Sequence, residues 1–253
     1  MRKNPQLLTA EIYHIFNRGT DRRKIFLGPS YYSRFITTLD HCLKYNYPYS
    51  LLKRQLQKAE TPQERDNVLS ELENKRIEPI VDIISFCLMP NHYHLTLKQL
   101  VDNGITNFIH RICTSYAGYF NIRQNRSGRL FEGPFKAVEI ESENQLIHLT
   151  RYHHLNPKKI GLNTEALIAY PWSSFSTYLG RNKFSFVNTG TALASFSRPK
   201  EYLNFVLAEI DEFEPCRLDH IAIDDDFGWF SEFRNLEKAH QEEIKERYLE
   251  NLS

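Results

Sequence analysis

Two histidines separated by one residue, His92 and His94, are the first candidates for chemistry in this sequence. They lie in the segment CLMPNHYHLTL, residues 87–97. Alternate residues of a β-strand point to the same face, so both imidazoles should project from one side of a sheet. Neutral imidazole is a common ligand of divalent transition metals. The spacing is compatible with a metal site, but a pair of this kind is more often two polar residues on a wet strand face.

A tyrosine and an asparagine four residues apart, Tyr152 and Asn156, are the second candidates. The segment 142–145, SENQ, has the pattern of a capping box and predicts the start of a helix, while Pro157 disfavours helical conformation at the residue before it. Residues four apart share one helix face, so a phenol and an amide oxygen should meet at the helix end. Taken singly, Tyr152 is more often an ordinary residue of an amphipathic helix and Asn156 a C-terminal cap. Their combination with the histidine pair favours a site.

The elements that must position these residues follow the order β-α-β-β-α-β. Strands are predicted at residues 12–18, 80–86, 92–97 and 135–140, and helices at 31–45 and about 104–123. The turn between the second and third strands is Pro90-Asn91. This order predicts an α+β fold, with a ferredoxin-like antiparallel sheet that carries helices on one face. The charged residues 50–78, with a capping box that starts at Thr61, predict a helical insertion.

The charge is divided unevenly along the chain. Residues 1–199 hold 26 Lys/Arg and 16 Asp/Glu, whereas residues 200–253 hold 6 and 15, although the whole chain has a net charge of +1. A basic body indicates a polyanionic partner. Charge that merely maintains solubility is an alternative of equal weight. The last segment predicts an acidic, mainly helical C-terminal extension over residues 181–253.

The composition argues against several classes of protein and of binding site. The four cysteines, Cys42, Cys87, Cys113 and Cys216, include no C-x-x-C pair, which argues against a structural zinc site and fits a reducing compartment. No run approaches 18 apolar residues and no apolar signal core follows Met1, so the expected location is cytoplasmic. There is no P-loop and no dinucleotide-binding fingerprint.

Taken together, these motifs resemble the single-tyrosine HUH transposases, most closely the branch associated with repetitive extragenic palindromes (REP). The matching segments span roughly residues 10–180: YHIFNRG (13–19), MPNHYHL (89–95), GRLFEG (128–133), RYHHLNPKKIG (151–161) and PWSS (171–174). The resemblance implies a catalytic domain over residues 1–180. Two features depart from the family: Pro134 stands where relatives commonly carry a basic residue, and the insertion and acidic extension have no counterpart in minimal members.

The resemblance also implies roles for individual residues. His92 and His94 would be metal ligands with Asn156 as the third, and the metal would be Mg²⁺ or Mn²⁺. Tyr152 would be the nucleophile that forms a 5′-phosphotyrosyl link and frees a 3′-OH. The expected partner is single-stranded DNA with hairpin or palindromic structure, and both a monomer and a homodimer remain open. His14 and His148 are expected to be structural.

Basic residues in loops beside aromatic residues are expected to contact DNA: Arg18, Arg22, Arg123, Arg129 and Lys158.

Three functions therefore compete. The first is a transposase that cleaves and rejoins DNA. The second is a domesticated hairpin-binding nuclease without autonomous transposition. The third is a non-catalytic, ferredoxin-like RNA-binding module, which the complete set of His92, His94, Tyr152 and Asn156 disfavours. A relaxase or replication initiator is a further enzymatic alternative, which the motifs outside the histidines disfavour.

Overall fold

The computed structural model describes residues 5–181 and 184–208. Within these residues, four strands form one sheet in the order β2-β3-β1-β4. Their bounds are β1 (Ile12–Arg18), β2 (Val81–Met89), β3 (His92–Gln99) and β4 (Lys136–Glu139). β1 is antiparallel to both β3 and β4. The predicted sheet is confirmed, with a last strand that is shorter than expected because it pairs only with residues 13–16 of β1.

The helices complete the expected order. α1 (Pro29–Lys44) connects β1 towards β2, and α4 (Gly104–Arg123) connects β3 to β4. The predicted helical insertion consists of α2 (Tyr49–Lys58) and α3 (Pro62–Glu73). After the sheet come α5 (Glu143–Leu155), α6 (Thr164–Ile168), α7 (Phe175–Tyr178), α8 (Gly190–Leu193) and α9 (Pro199–Leu207). The predicted fold class, α+β with a ferredoxin-like sheet, is therefore confirmed.

The described chain forms two compact units. The first contains residues 5–83 and 90–139, and the second contains residues 84–89, 140–181 and 184–208. Strand β2 runs from one unit into the other, since its first three residues belong to the first unit and the rest to the second.

The core of the first unit holds the residue between the two candidate histidines. Tyr93 is fully buried, and its ring packs against Phe35 of α1 with centroids 5.2 Å apart. Its hydroxyl lies 3.4 Å from the Cys113 sulfur in α4. Burial of an aromatic side chain of this size contributes about 1.5–3 kcal/mol. Because Tyr93 faces α1 and α4, the histidines on either side of it face the opposite side of β3.

The turn between β2 and β3 is held by the loop that follows β1. The Pro90 carbonyl accepts hydrogen bonds from the backbone N–H groups of Ile25 and Phe26, at 2.8 and 3.0 Å. The Asn91 carbonyl accepts a third, from Gly19, at 2.8 Å. A two-residue turn with its carbonyls paired in this way fixes where β3 begins, and hence where its first histidine lies.

The second unit covers the free edge of β2. The Leu88 N–H donates to the Trp172 carbonyl at 2.9 Å, and the Ser174 N–H donates to the Phe86 carbonyl at 3.0 Å. The segment PWSS, residues 171–174, thus pairs with an edge strand that would otherwise expose its backbone groups.

The acidic extension is described only as far as residue 208, through α8 and α9. Residues 209–253 lie outside the described residues, and so does Cys216. The division into domains at residue 180 remains a prediction. In the part of the chain that the structure describes, no helix has the length and apolar character needed to span a bilayer.

Candidate functional site

Three imidazoles lie together in the first unit, on the face of β1 and β3 opposite Tyr93. In the antiparallel register, His94 is paired with Phe16 and Thr96 with His14, which brings His14 next to His94 on one face. The His14 Nε2 atom is 2.9 Å from the His94 Nδ1 atom, and the two stacked rings have centroids 5.1 Å apart. The rings of His92 and His94 are 4.8 Å apart and nearly perpendicular. The side-by-side arrangement expected of the histidine pair is present, and His14 extends it.

A neighbouring amide orients the first imidazole. The His92 Nδ1 atom is 2.6 Å from the side-chain oxygen of Asn91. An amide oxygen only accepts, so His92 Nδ1 carries the proton and Nε2 carries the lone pair. A hydrogen bond of this kind typically fixes the tautomer and ring orientation of a metal-binding histidine. The turn residue Asn91 therefore prepares His92 for coordination through Nε2.

His14 has the corresponding relation to His94. One ring nitrogen of His94, Nδ1, is engaged by His14, so His94 would coordinate a metal through Nε2. Both side chains are fully buried. His14, expected from the sequence to be structural, thus lies against a candidate ligand. The alternation of residues along β1 indicates which face His14 lies on. To place it beside His94, however, one must also know the strand order and register.

In the second unit, Tyr152 and Asn156 lie at the end of α5. The α-helix ends at Leu155, as expected from Pro157, but Asn156 keeps helical angles (φ −51°, ψ −40°) because the chain continues as a 3₁₀ turn, Asn156–Ile160. The Asn156 N–H donates to the Tyr152 carbonyl. Asn156 is fully buried and Tyr152 is 2% exposed. The predicted one-turn juxtaposition on α5 is therefore present.

A lysine lies over the candidate nucleophile. The 3₁₀ turn brings the Lys159 ammonium nitrogen to 4.9 Å from the centroid of the Tyr152 ring. An ammonium group at this distance from the ring face interacts favourably with the aromatic quadrupole. The same positive charge attracts negative charge that develops on the phenol oxygen.

A further buried histidine follows Tyr152. His153 is fully buried, and its Nδ1 atom is 2.8 Å from the Ser85 hydroxyl of β2. Histidine is a common metal ligand when neutral and held through one ring nitrogen. His14 and His94 in the first unit and His153 in the second each offer a nitrogen ligand from a buried position. His153 was not singled out from the sequence, where it is one of two adjacent histidines.

The basic residues expected to contact DNA occur in both units: Arg18, Arg22, Arg123 and Arg129 in the first, and Lys158 in the second.

In the first unit, the basic loops after β1 and before β4 are bonded to each other. The Thr20 N–H donates to the Leu130 carbonyl at 2.9 Å, and Gly19 and Phe131 form an isolated bridge. Since Gly19 is also bonded to the turn at Asn91, both loops lie beside the start of β3. Arg22 and Arg129, both exposed, lie on these two adjoining loops.

Arg18 and Arg123 lie against other protein side chains. Arg18 forms an ion pair with Glu132, and this hydrogen bond lowers the pKa of the Glu132 carboxyl. Arg123 is exposed at the end of α4, and its guanidinium lies 5.7 Å from the ring centroid of Tyr31 and 5.8 Å from that of Tyr119. Arg18 would have to exchange Glu132 for a phosphate, whereas Arg123 is already combined with aromatic rings.

Comparison with known proteins finds similarity among solved structures. No protein-family model and no curated protein matches the chain. Among solved structures, the chain is similar to a REP-associated tyrosine transposase bound to a REP hairpin, with 13% sequence identity and a TM-score of 0.45. The match covers 73% of this chain and 88% of that one.

Proposed function

We propose that this protein is a single-tyrosine HUH transposase, a metal-dependent enzyme that cleaves and rejoins single-stranded DNA. The observation that supports this most is the group of three imidazoles on one sheet face, in which Asn91 orients His92 and His14 engages His94. A merely polar strand face would not require a half-buried His92 and a fully buried His94, each with one ring nitrogen paired. A site that must present two Nε2 lone pairs does require them.

The donor atoms fit a divalent cation. In this proposal His92, His94 and Asn156 hold the metal, and its role is to polarise a phosphate oxygen and stabilise the charge that develops at the scissile bond. Two imidazoles and one amide oxygen form a mixed set with no thiolate, which is unlike a closed structural zinc site. Mg²⁺ prefers oxygen ligands, so Mn²⁺ suits the imidazoles better of the two.

The proposed reaction uses Tyr152 as the nucleophile. The phenol gives up its proton to water as its oxygen attacks the phosphorus. The bond from phosphorus to the 3′ oxygen breaks, and the 3′ oxygen takes up a proton from water and leaves as a 3′-OH. The DNA remains attached through a 5′-phosphotyrosyl bond. Rejoining is the reverse step, in which a 3′-OH displaces the tyrosine. One phosphodiester bond replaces another, so rejoining needs no nucleoside triphosphate as an energy source. Lys159 supports the attack, because its charge lies beside the ring that becomes negative.

The proposed substrate is single-stranded DNA with hairpin or palindromic structure. The exposed Arg22 and Arg129 on adjoining loops would bind phosphates near His92, and Arg123 with its two tyrosines would bind a strand through charge and stacking. Lys158 would contribute a contact from the second unit. A homodimer is one assembly in which such an enzyme could act.

The test of this function is a covalent adduct that depends on one hydroxyl. Labelled single-stranded hairpin DNA incubated with the protein and Mn²⁺ should give an adduct that survives denaturation. Tyr152→Phe should abolish the adduct and retain DNA binding. Tyr178→Phe, which removes a different buried hydroxyl of the second unit, serves as the matched control and should still form it. An undiminished adduct in Tyr152→Phe would reject the assignment.

A second assay separates the transposase from the domesticated alternative. The gene and its flanking DNA are placed on a donor plasmid, and excision of the element is scored by amplification across the junction. Excision that requires Tyr152 supports a mobile element. An active nuclease with intact donor plasmids supports a domesticated hairpin-binding protein.

A further inference from the structure

A buried chain of hydrogen bonds in the second unit joins α5 to β2 and to α9. His154, on α5, is fully buried with both ring nitrogens engaged. Its Nε2 atom is 2.8 Å from the Ser174 hydroxyl, and its Nδ1 atom is 2.7 Å from the Tyr202 hydroxyl of α9. Ser174 is in turn bonded to the Phe86 N–H of β2 at 3.0 Å. None of these groups belongs to the proposed chemistry.

The directions of these bonds follow from the Tyr202 hydroxyl. The Ser174 hydroxyl has two acceptors within reach, His154 Nε2 at 2.8 Å and the Phe86 carbonyl at 3.3 Å, and the first is the closer. The Tyr202 hydroxyl donates to the Thr150 hydroxyl at 3.0 Å, and Thr150 donates to the Ile147 carbonyl at 2.8 Å. Because the Tyr202 proton is used in that bond, its oxygen accepts from His154 Nδ1–H. His154 Nε2 is then an acceptor, and Ser174 donates to it. Each hydroxyl donates once, and burial raises the pKa of the Tyr202 phenol, which keeps its proton in place.

The geometry of α5 shows which part of the helix these hydrogen bonds fix in place. Thr150 and His154 are four residues apart and share one face of the helix, so the Tyr202 hydroxyl, which is bonded to both, joins the two ends of one full turn. We call these two hydrogen bonds the clamp. Tyr152 lies midway between them, about 200° around the helix from each at 100° per residue. The clamp and the candidate nucleophile are therefore on nearly opposite sides of the same turn. Movement of that turn on the clamped side would displace the phenol on the other.

We infer that His154 and Tyr202 are positioning residues, which fix the last turn of α5 between β2 and α9 so that the Tyr152 hydroxyl is held in place for attack. This inference rests on the proposed function, and it gives α9, the start of the acidic extension, a defined part in catalysis. Small displacements of a reacting group reduce the rate of the chemical step far more than substrate affinity. The clamp therefore acts on the rate of cleavage and leaves DNA binding to the basic loops.

The experiment compares two tyrosine-to-phenylalanine variants of the full chain. Tyr202→Phe keeps the ring and removes the hydroxyl that joins His154 to Thr150. Tyr178→Phe, the matched control, removes a hydroxyl that is equally buried in the second unit but donates to the Ile84 carbonyl of β2, at 2.9 Å. Two quantities are measured at a temperature where both variants are folded. The first is the single-turnover rate of adduct formation at saturating hairpin DNA, together with the Kd. The second is amide hydrogen exchange across residues 150–156.

The expected result is specific to Tyr202→Phe. Its adduct rate should fall about tenfold with the Kd changed by less than about twofold, and exchange in the last turn of α5 should accelerate at least about fivefold, which corresponds to loss of one buried hydrogen bond. Tyr178→Phe should change neither quantity. Equal effects in the two variants, or no effect in Tyr202→Phe, would overturn the inference. If the unaltered protein forms no adduct, the proposed function fails, and hydrogen exchange alone decides whether the clamp positions α5.

Discussion

Acid should destabilise the folded chain through His154. Burial alone lowers the pKa of this imidazole from 6.5 to about 3, and its hydrogen-bond partners Tyr202 and Ser174 are uncharged. Below pH 6.5 the unfolded chain therefore takes up a proton that the folded chain excludes. Stability from this group is fully present above pH 6.5 and is lost progressively as the pH falls towards 3. Between pH 8 and pH 5 the loss amounts to about 2 kcal/mol, since each pKa unit corresponds to about 1.36 kcal/mol.

Urea unfolding from pH 8 to pH 5, in buffer that contains EDTA, measures this contribution. Other groups also titrate, so the informative quantity is the difference in unfolding free energy between the unaltered protein and His154→Gln. Glutamine cannot be protonated, although it disrupts the hydrogen bonds and lowers stability at every pH. The difference between the two proteins should therefore shrink by about 2 kcal/mol on going from pH 8 to pH 5. A difference that stays constant within about 0.5 kcal/mol would refute a buried, neutral His154.

Three further outcomes are expected. His14→Gln should weaken Mn²⁺ binding about 10–100-fold in calorimetry, because it removes the partner of His94; an unchanged affinity would contradict the role given to His14. Gly19→Ala should cost about 1–3 kcal/mol in unfolding free energy, since its Cβ would lie 2.3 Å from a backbone carbonyl oxygen. Gly118→Ala, whose Cβ meets nothing within 4 Å, is the control and should be neutral or stabilising, so equal losses would refute the steric argument. Truncation after Ala208 should tighten DNA binding at low salt if the acidic segment competes for the basic surface; equal or weaker binding across a salt series would leave that segment another role.

The fold was largely predictable because periodicity and turn chemistry are local. The apolar stripe predicted for residues 104–123 corresponds to α4 with the same bounds. The capping box at Thr61 forms both of its bonds with Glu64, at 3.2 Å each. The other box is only half formed, since Ser142 accepts from the Gln145 N–H while the Gln145 side chain accepts from the Glu141 N–H. Local patterns thus locate helix ends well and assign individual cap bonds less well.

The candidate site was less predictable because its partners are remote in the sequence. His14 and His94 are 80 residues apart and meet only because β1 pairs with β3 in one register. A shift of that register by one residue would turn His14 to the opposite face. Ser85 and His153 are 68 residues apart and give no local signal either. A spacing pattern finds residues that share one element, such as His92 and His94, and cannot supply partners from other strands, such as the His14 that engages His94.

The structure changes where the acidic segment, residues 200–253, should be truncated to test its effect on DNA binding. Tyr202 and Val206 of α9 belong to this segment and are fully buried in the second unit. A truncation after Arg198 would remove them and, with Tyr202, the clamp on α5. Residues 209–253 hold 14 acidic and 5 basic residues, so they carry the same net charge of −9 as residues 200–253. Truncation after Ala208 therefore removes the whole of the acidic excess while the packing of α9 is retained. A change in DNA affinity in that variant that diminishes as the salt concentration rises reports on charge, separately from the clamp.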